Sequence, residues 1–474
     1  MTPACHLHRY SSRSDRFLYL LYIFCLPLGR VFIRPEGLPT TLTVMPLSSI
    51  IMLIGVAALC LRRGKLPFTP RLGFFYALYA FMVIYSLVAA FIVSTDTPVS
   101  HNTSVILAPL ENIVLYFVVL LSLFYNYYFL SYVYPVQRLF PIFDASCVMV
   151  IAMGYIQLGA LLGAGALVSL YSFLGGILAV MPLDILIRME RGVTCFGAEP
   201  SSMALYCFIL IPYLIASVRL QKRRRTGHIV LLAMLLPLLI SSNSSSVIIL
   251  LCMTGISSFI YFFKKRLIKW IIAGAFVTGA IVTSMYAIDA PQSISKNMST
   301  DEKSFEYITY GKIVDRKNYS TMMRSSTLAV NMKLFYTYPV TGVGLGVQGV
   351  FYNQYVPSWT KRSDEVKTLM KSSSPLSNGG GSFFPIMLSS FGIIGIIVFT
   401  IFLLKYRKSA SSSVISSDMM VRCIWNVSIP AIILALWYVA SPKLNESMIF
   451  IISLAVITAA RSNSGPIERN TYRR

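Results

Sequence analysis

The stretch GAEPSSMALYCFILIPYLIASVRLQKRRR, residues 197–225, decides the fold. It begins with a carboxylate and a proline, continues as a mostly apolar run, and ends in a cluster of lysine and arginine. About twenty apolar residues in a helix cross the roughly 30 Å hydrocarbon core of a bilayer. Lysine and arginine mark the cytoplasmic ends of membrane helices. The stretch therefore predicts a membrane helix whose basic end lies inside and whose Glu199 lies at the outer face.

The composition extends this prediction to the whole chain. Of 474 residues, 56% are hydrophobic and 12% are charged, whereas soluble domains carry about 25% charged residues. We therefore predict an integral membrane protein. A net charge of +23 would indicate nucleic-acid binding in a soluble protein. Here the enrichment of basic residues on the cytoplasmic side accounts for it, so no nucleic-acid partner is expected.

The apolar runs predict an all-α, polytopic protein of about twelve transmembrane helices with one large outer loop and both termini inside. Residues 163–198 are apolar but broken by a glycine pair, a proline and charges, so we predict a re-entrant or interfacial piece there. The predicted spans are 17–33, 41–61, 72–93, 105–130, 142–162, 200–219, 228–240, 247–263, 267–287, 382–404, 423–440 and 446–460.

These spans divide the chain into four parts. Residues 1–162 hold helices one to five, and 163–287 hold the re-entrant piece and helices six to nine. Residues 288–381 form the large outer loop, and 382–474 hold the last three helices and a cytoplasmic tail. Only Cys195 of eight cysteines falls in a predicted outer segment, so no disulfide framework is expected. The sequence has no metal-binding or phosphate-loop motif, so neither metal nor cofactor is expected.

Glu199 has two interpretations. Its position before Pro200 and Ser201 is typical of a helix start, because proline is tolerated in the first turn and a carboxylate is favoured there by the helix dipole. The second interpretation is a catalytic or ligand-binding carboxylate at the membrane surface. Arg188 and Arg191 lie shortly before it, where they suit an anionic lipid head group or simply pair with Glu199.

The large outer loop contains a predicted helix and a predicted tight turn. Residues 321–336, TMMRSSTLAVNMKLFY, predict one helix with Arg324 near its start. The following YPVTGVGLG, residues 338–346, breaks the helix, and its proline and alternating glycines indicate a tight turn with close backbone approach. Arg324 is either a solvated or interfacial charge, or a clamp for phosphate oxygens, which a guanidinium binds in a bidentate way.

Further polar groups lie at or within the predicted spans. The turn SSNSSS, residues 241–246, separates two short spans. Its hydroxyls and amides, including Asn243, are expected mainly to satisfy free helix-end groups, with sugar binding as the alternative. Glu111, Asp144 and Glu446 lie in or near spans, where ionisable residues are functional candidates by default.

The order of these motifs resembles the O-antigen and exopolysaccharide polymerases and, more distantly, the O-antigen ligases. The resemblance covers about residues 185–400. It departs in the Ser-rich turn, where many relatives have Ser-Arg. The ligases carry a functional histidine late in the large loop, whereas this chain reads SSSPLSNGGGSFF there and has no histidine after His228, which favours the polymerase. The matching positions are Arg191, Glu199, Pro200, Ser201, Arg324, Gly342, Gly344 and Gly346.

The resemblance implies a membrane glycosyltransferase of the bacterial inner membrane whose large loop is periplasmic. It implies polyprenyl-pyrophosphate-linked glycans and membrane lipid as partners, with a chain-length regulator and a flippase beside them. Glu199 and Arg324 would be catalytic, and the substrate-binding positions would be Arg188, Arg191, Ser201, Asn243, Gly342, Gly344 and Gly346. A lipid-linked oligosaccharide flippase is a second class, which explains the helices but not the large outer loop.

Overall fold

A computed structural model describes most of the chain and shows a helical protein. Five helices within the described ranges are long and apolar enough to cross a membrane: Gly73–Ser94, Ala108–Val133, Val136–Leu161, Lys222–Ser241 and Phe383–Ile401. The described residues are 12–28, 30–32, 44–63, 72–94, 108–134, 136–180, 192–196, 200–242, 245–263, 319–371, 383–411, 419–434, 449–450 and 452–454.

The helices are numbered here in chain order. They are α1 Arg13–Phe24, α2 Leu47–Arg63, α3 Gly73–Ser94, α4 Ala108–Tyr128, α5 Phe140–Leu161, α6 Gly165–Val180, α7 Pro200–Leu220, α8 Arg225–Ser241, α9 Ser245–Phe263, α10 Tyr319–Thr337, α11 Tyr352–Tyr355, α12 Asp364–Lys371, α13 Phe383–Ser411 and α14 Met419–Leu434. Strands β1 Arg30–Phe32 and β2 Val44–Pro46 pair antiparallel. A π-helix covers Phe129–Val133, and 3₁₀-helices cover Val136–Leu139, Lys222–Arg224, Val347–Gly349 and Ser358–Arg362.

Most predicted spans within the described ranges coincide with helices. The agreement holds for α3, α4, α5, α7, α8 and α9, because each is a long apolar run bounded by polar or turn-forming residues. The first predicted span, 17–33, is wrong in extent, since α1 ends at Phe24 and the chain turns at 25–28 before β1. Pro27 lies in that turn, where its missing N–H prevents the helix from continuing.

Several predictions fall outside the described residues. They include the predicted span 267–287, the first part of the outer loop and most of the last span. The segment after α5 is partly described: α5 ends in a Schellman motif at Gly163, whose φ is +81°, and α6 then packs back against α5. With 16 residues, α6 is short for a span, and its re-entrant or interfacial placement stays a prediction.

Two ion pairs join helix ends that are predicted to lie inside. Arg62 at the end of α2 contacts Asp15 in the first turn of α1, with 2.8 Å between Nη1 and Oδ1. Arg224, between α7 and α8, contacts Asp144 near the start of α5, with 3.3 Å between Nη1 and Oδ2. Each pair brings together ends that the charge pattern assigns to the same face.

Helix α10, which lies in the predicted outer loop, is buried on every side over two turns. The predicted helix 321–336 is confirmed as Tyr319–Thr337. Every residue from Ser325 to Asn331 is buried, and a helix places seven successive residues around its whole circumference. The helix packs against α11, α12, α13 and the C-terminal part of α3. It is therefore the centre of a small helical core formed with α11 and α12, although its sequence is too polar to indicate this. We call this core the outer core, because the charge pattern predicts that it lies outside.

Helix α13 is broken at Gly392, and the segment 338–346 provides hydrogen-bond partners for the backbone groups that the break leaves free. Gly392 has φ 56° and ψ −156°, so the helix hydrogen bonds that span it are lost. The carbonyl of Ser389 accepts instead from the amide N–H of Val343, at 2.9 Å. The carbonyl of Ser390 accepts from the amide N–H of Gly344, also at 2.9 Å.

The same segment also accepts hydrogen bonds from the amides on the other side of the break. In an unbroken helix, Ile393 and Ile394 would donate to the carbonyls of residues 389 and 390. Here the Ile393 amide donates to Pro339 O at 2.8 Å and the Ile394 amide donates to Val340 O at 3.2 Å. Two helix hydrogen bonds are thus replaced by four bonds to the turn. We call residues 338–346 together with the break in α13 the backbone clasp.

Each glycine of the clasp lies against the backbone of a different apolar helix. A Cβ added to Gly342 would lie 2.5 Å from an atom of α13, one on Gly344 would lie 2.7 Å from a carbonyl of α3, and one on Gly346 would lie 2.6 Å from a carbonyl of α4. All three have positive φ. The predicted tight turn with close backbone approach is confirmed.

We predict that Gly342→Ala destabilises the protein by about 2 kcal/mol or more, because a non-glycine residue is strained at positive φ and its Cβ would meet backbone atoms. Gly255→Ala is the matched control, since nothing lies within 4 Å of its added Cβ. The control is expected to be neutral or to stabilise by about 0.5–1 kcal/mol. Thermal unfolding in detergent measures both variants. Equal melting temperatures would contradict the packing described for the clasp.

Candidate functional site

The structure describes only part of the predicted site. Arg324 and the three clasp glycines are described, and Ser201 lies in the first turn of α7. Glu199, Arg188, Arg191 and Asn243 lie outside the described residues, as do the side chain of Glu111 and the whole of Glu446. The site is therefore built from Arg324 and from the segments that flank Glu199 in the chain.

Arg324 is half-buried in the second turn of α10. Within the described ranges, its guanidinium makes no ion pair and no side-chain hydrogen bond. The helix beyond it is held by buried polar contacts, including one between the hydroxyls of Ser326 and Tyr352. Burial raises the pKa of Tyr352 to about 12, although the hydrogen bond with Ser326 opposes this, so the tyrosine hydroxyl is protonated at neutral pH. Arg324 thus places on this helix a positive charge that no described residue compensates.

Two side-chain contacts join the outer core to the first half of α13. Ser389 donates from its hydroxyl to Asn331 Oδ1 at 2.6 Å, and Asn331 donates from its amide to the Thr327 carbonyl at 2.7 Å. Gln348 donates from its amide to the hydroxyl of Ser390. These buried groups pair with one another, so they hold α10 in register with α13 and are not free to bind a ligand.

The structure does not bring Arg324 together with the glycines. Arg324 lies near the start of α10, and the clasp follows the opposite end of that helix at Thr337. At 1.5 Å per residue the two ends are about 20 Å apart. Grouping Arg324 with Gly342, Gly344 and Gly346 in one binding site stays a prediction from sequence order, and close packing already accounts for the glycines.

Gln157 fixes the segment that leads to Glu199. Its Oε1 accepts from the amide N–H groups of Thr194, at 3.0 Å, and Cys195, at 2.7 Å. Its Nε2 donates to the Cys195 carbonyl at 2.8 Å and to the Thr194 hydroxyl at 3.3 Å. One buried side chain thus holds both peptide groups. Gln157 is not among the residues predicted from the sequence, although a lone glutamine within an apolar span is a usable signal.

The same segment meets the Ser-rich turn. The amide of Val193 donates to the Ser241 carbonyl at 3.2 Å, and Gly192 has φ 113° where an added Cβ would lie 2.7 Å from that oxygen. The Ser242 hydroxyl donates to the Leu239 carbonyl at 2.6 Å. The carbonyls of Leu239 and Ser241 at the end of α8 therefore have partners, which is consistent with the expected structural role for this described part of the turn.

Cys195 lies in this segment, and its environment disfavours a nucleophilic role. It has φ 52° and is 2% exposed. Burial raises the pKa of its thiol to about 12, so the reactive thiolate is scarce at neutral pH. Within the described ranges, no group of three or more His, Cys, Asp or Glu side chains is placed to hold a metal ion.

Asp144, a candidate from its place in a span, belongs to a different end of the protein. Its carboxylate accepts from the Tyr213 hydroxyl at 2.7 Å and lies 3.1 Å from His228 Nε2, in addition to the contact with Arg224. These partners come from α7, α8 and the connection between them. The carboxylate therefore ties α5 to both helices at the predicted inner face.

Comparison with protein-family models and with curated protein sequences gives no match. The functional interpretation therefore depends on the motifs and on the geometry described above.

We predict that Gln157→Met loosens the segment before Glu199, because it leaves buried amide and carbonyl groups unpaired at about 1–3 kcal/mol each. The readout is alkylation of Cys195 by N-ethylmaleimide at neutral pH, quantified by peptide mass spectrometry. The wild-type thiol is expected to resist and the Gln157→Met thiol to react faster. Gln137→Met is the control, because Gln137 is exposed. Equal protection of Cys195 in all three proteins would show that Gln157 does not hold the segment.

Proposed function

We propose that this chain is a membrane glycosyltransferase that polymerises polyprenyl-pyrophosphate-linked oligosaccharide repeat units into O-antigen, capsule or exopolysaccharide. The reaction takes place at the periplasmic face of the bacterial inner membrane. The observation that carries the proposal is Arg324, a half-buried arginine without an ion-pair partner among the described residues. The order of the Glu-Pro-Ser element, the Ser-rich turn, Arg324 and the glycine turn supports it.

The proposed chemistry is a single glycosyl transfer between two lipid-linked molecules. A hydroxyl of the acceptor repeat unit attacks the anomeric carbon of the donor glycan, and the bond from that carbon to the pyrophosphate oxygen breaks. The acceptor proton passes to a base, and polyprenyl pyrophosphate leaves with the bonding electrons. Such a step needs a general base and cationic groups near the leaving oxygen.

Glu199 is the proposed base, and Arg324 and Arg191 are the proposed clamps for pyrophosphate. The chain is anchored on both sides of Glu199, by Gln157 at residues 194–195 and by the start of α7 at Pro200. Anchoring favours a base, because proton transfer requires the carboxylate to be held within hydrogen-bond reach of the acceptor. Arg188, Ser201 and Asn243 are proposed substrate contacts.

Glycolipid analysis of a strain that lacks the gene tests the reaction class. A polymerase defect leaves a single repeat unit on the cell surface, which is the expected result. Absence of any unit outside the membrane would assign a flippase instead, and polymer left on the lipid carrier would assign an O-antigen ligase. Either of these outcomes overturns the proposal.

We predict that Arg324→Ala reduces polymer formation by about 10²–10³-fold, as expected when a group that stabilises developing charge is lost. Arg324→Lys is expected to be nearly as damaging, because an ammonium lacks the bidentate geometry of guanidinium. Polymer length on gels at matched protein abundance is the measurement. Arg362→Ala, an exposed position of the same outer core, is the control. Normal chains from Arg324→Ala would remove Arg324 from the site.

We predict that Glu199→Gln leaves protein abundance unchanged and reduces the product to single repeat units, with Glu199→Asp intermediate. Glutamine cannot accept the proton, and loss of a general base typically slows a reaction by about 10²–10⁴-fold. A residue that only caps α7 would contribute about 0.5–2 kcal/mol of stability and leave chain length intact. Abundance and chain length are therefore measured together. Wild-type chains from Glu199→Gln would assign this residue a capping role.

A further inference from the structure

We propose that residues 338–346 are a re-entrant turn inside the hydrocarbon region of the bilayer, with Val340 in contact with lipid acyl chains. The sequence pattern assigns this segment to the large outer loop, so the proposal moves part of that loop into the membrane. It depends on the positions of three apolar helices and is independent of the reaction proposed above.

The depth of the turn follows from α13. Lys405 begins the basic run that marks the inner end of this span. Gly392 lies 13 residues earlier in the chain, which corresponds to about 20 Å of helix. In a hydrocarbon core of about 30 Å, the break lies roughly 10 Å below the outer edge. The turn lies at the same level, because it is hydrogen-bonded directly to the break.

Helix α3 gives the same depth independently. Gly344 lies against the Ser86 carbonyl, and Ser86 lies 13 residues after Gly73, the first residue of this apolar helix. That again is about 20 Å from the inner end. Phe91 and Ile92 lie nearer the outer end than Ser86, yet they are 65% and 52% exposed. Large exposed apolar side chains on a candidate span are explained by lipid around that level.

The hydrogen bonding of the clasp also satisfies what a water-free environment demands. At a water-exposed surface, the groups freed at a helix break hydrogen-bond to solvent. In hydrocarbon each unpaired backbone group costs several kcal/mol, so irregular backbone occurs there only where the protein satisfies it. At Gly392 the carbonyls of residues 389 and 390 and the amides of residues 393 and 394 all find partners in the turn. The clasp thus meets the condition for broken helices in membranes.

The outer surface of the clasp is continuous with a lipid-facing stripe. Val340 is 55% exposed, and its carbonyl accepts from the amide of Ile394. Ile393, Ile397 and Ile401 are exposed along the second half of α13. An aliphatic side chain that continues such a stripe fits acyl chains as its partner.

Collision-based depth measurement tests the proposal. A nitroxide is attached at Val340→Cys in liposomes, and its collisions with oxygen, which partitions into lipid, are compared with those of a polar nickel complex. Ile393→Cys is the matched lipid control on α13, and Lys361→Cys, an exposed position of the outer core, is the water control. The wild-type chain gives the background from native cysteines. These substitutions replace exposed side chains, and thermal unfolding verifies that each variant is folded.

The expected result is that Val340→Cys matches Ile393→Cys, with nickel collisions roughly tenfold or more below those of Lys361→Cys, because hydrocarbon excludes polar solutes. If Val340→Cys collides with nickel as often as Lys361→Cys while Ile393→Cys is protected, the turn lies at the water surface and the proposal is overturned. Nickel access at both Val340→Cys and Ile393→Cys would also overturn it, because the break itself would then lie outside the lipid.

Discussion

The exchange of backbone hydrogen bonds between the broken helix α13 and the turn at residues 338–346 is the interaction on which the predicted outer half of the structure depends. A helix in an apolar environment cannot break unless another part of the chain supplies partners for the freed groups. Here the turn supplies them at both sides of Gly392. Because the bonds are main-chain bonds, they require close approach, and glycine at 342, 344 and 346 allows the turn to lie against α13, α3 and α4 at once.

The clasp explains why the outer core has a fixed position. Helix α10 leads directly into the turn, so its C-terminal end is held by α13. The contacts of Asn331 with Ser389 and of Gln348 with Ser390 add side-chain bonds along the same boundary. Arg324 therefore lies on an element whose position is set by the membrane helices rather than on a mobile loop. A binding or catalytic group benefits from such support, because misplacement of charge by about 1 Å can greatly slow a reaction.

The sequence predicted the individual elements better than their relationships. The sequence predicted six apolar helices, the helix of residues 321–336 and the tight glycine turn. Each of these follows from local periodicity or from the conformational demands of glycine and proline. The glycines indicated that some backbone comes close, but no local rule identifies which one. Gly392 lies in an apolar run where it resembles any other residue of a span. The pairing of the neighbouring Ile393 and Ile394 amides with Pro339 and Val340 is a long-range contact. Gln157 was missed for the same reason, since its partners lie beyond α6 in the chain.

The structure also distinguishes motif residues that contacts within the protein explain from motif residues that such contacts do not explain. The glycines are fully explained by contacts, because each missing Cβ leaves room for a specific backbone atom. The first residues of the Ser-rich turn are likewise explained by the end of α8, and Asp144 is explained by its three donors. Arg324 is different, because no contact among the described residues compensates its charge. Keeping a half-buried cation without an ion-pair partner reduces stability unless an anion binds there. The absence of a partner among the described residues is therefore the structural observation that supports the proposed role of Arg324, in which its guanidinium would bind the anionic oxygens of a lipid-linked pyrophosphate.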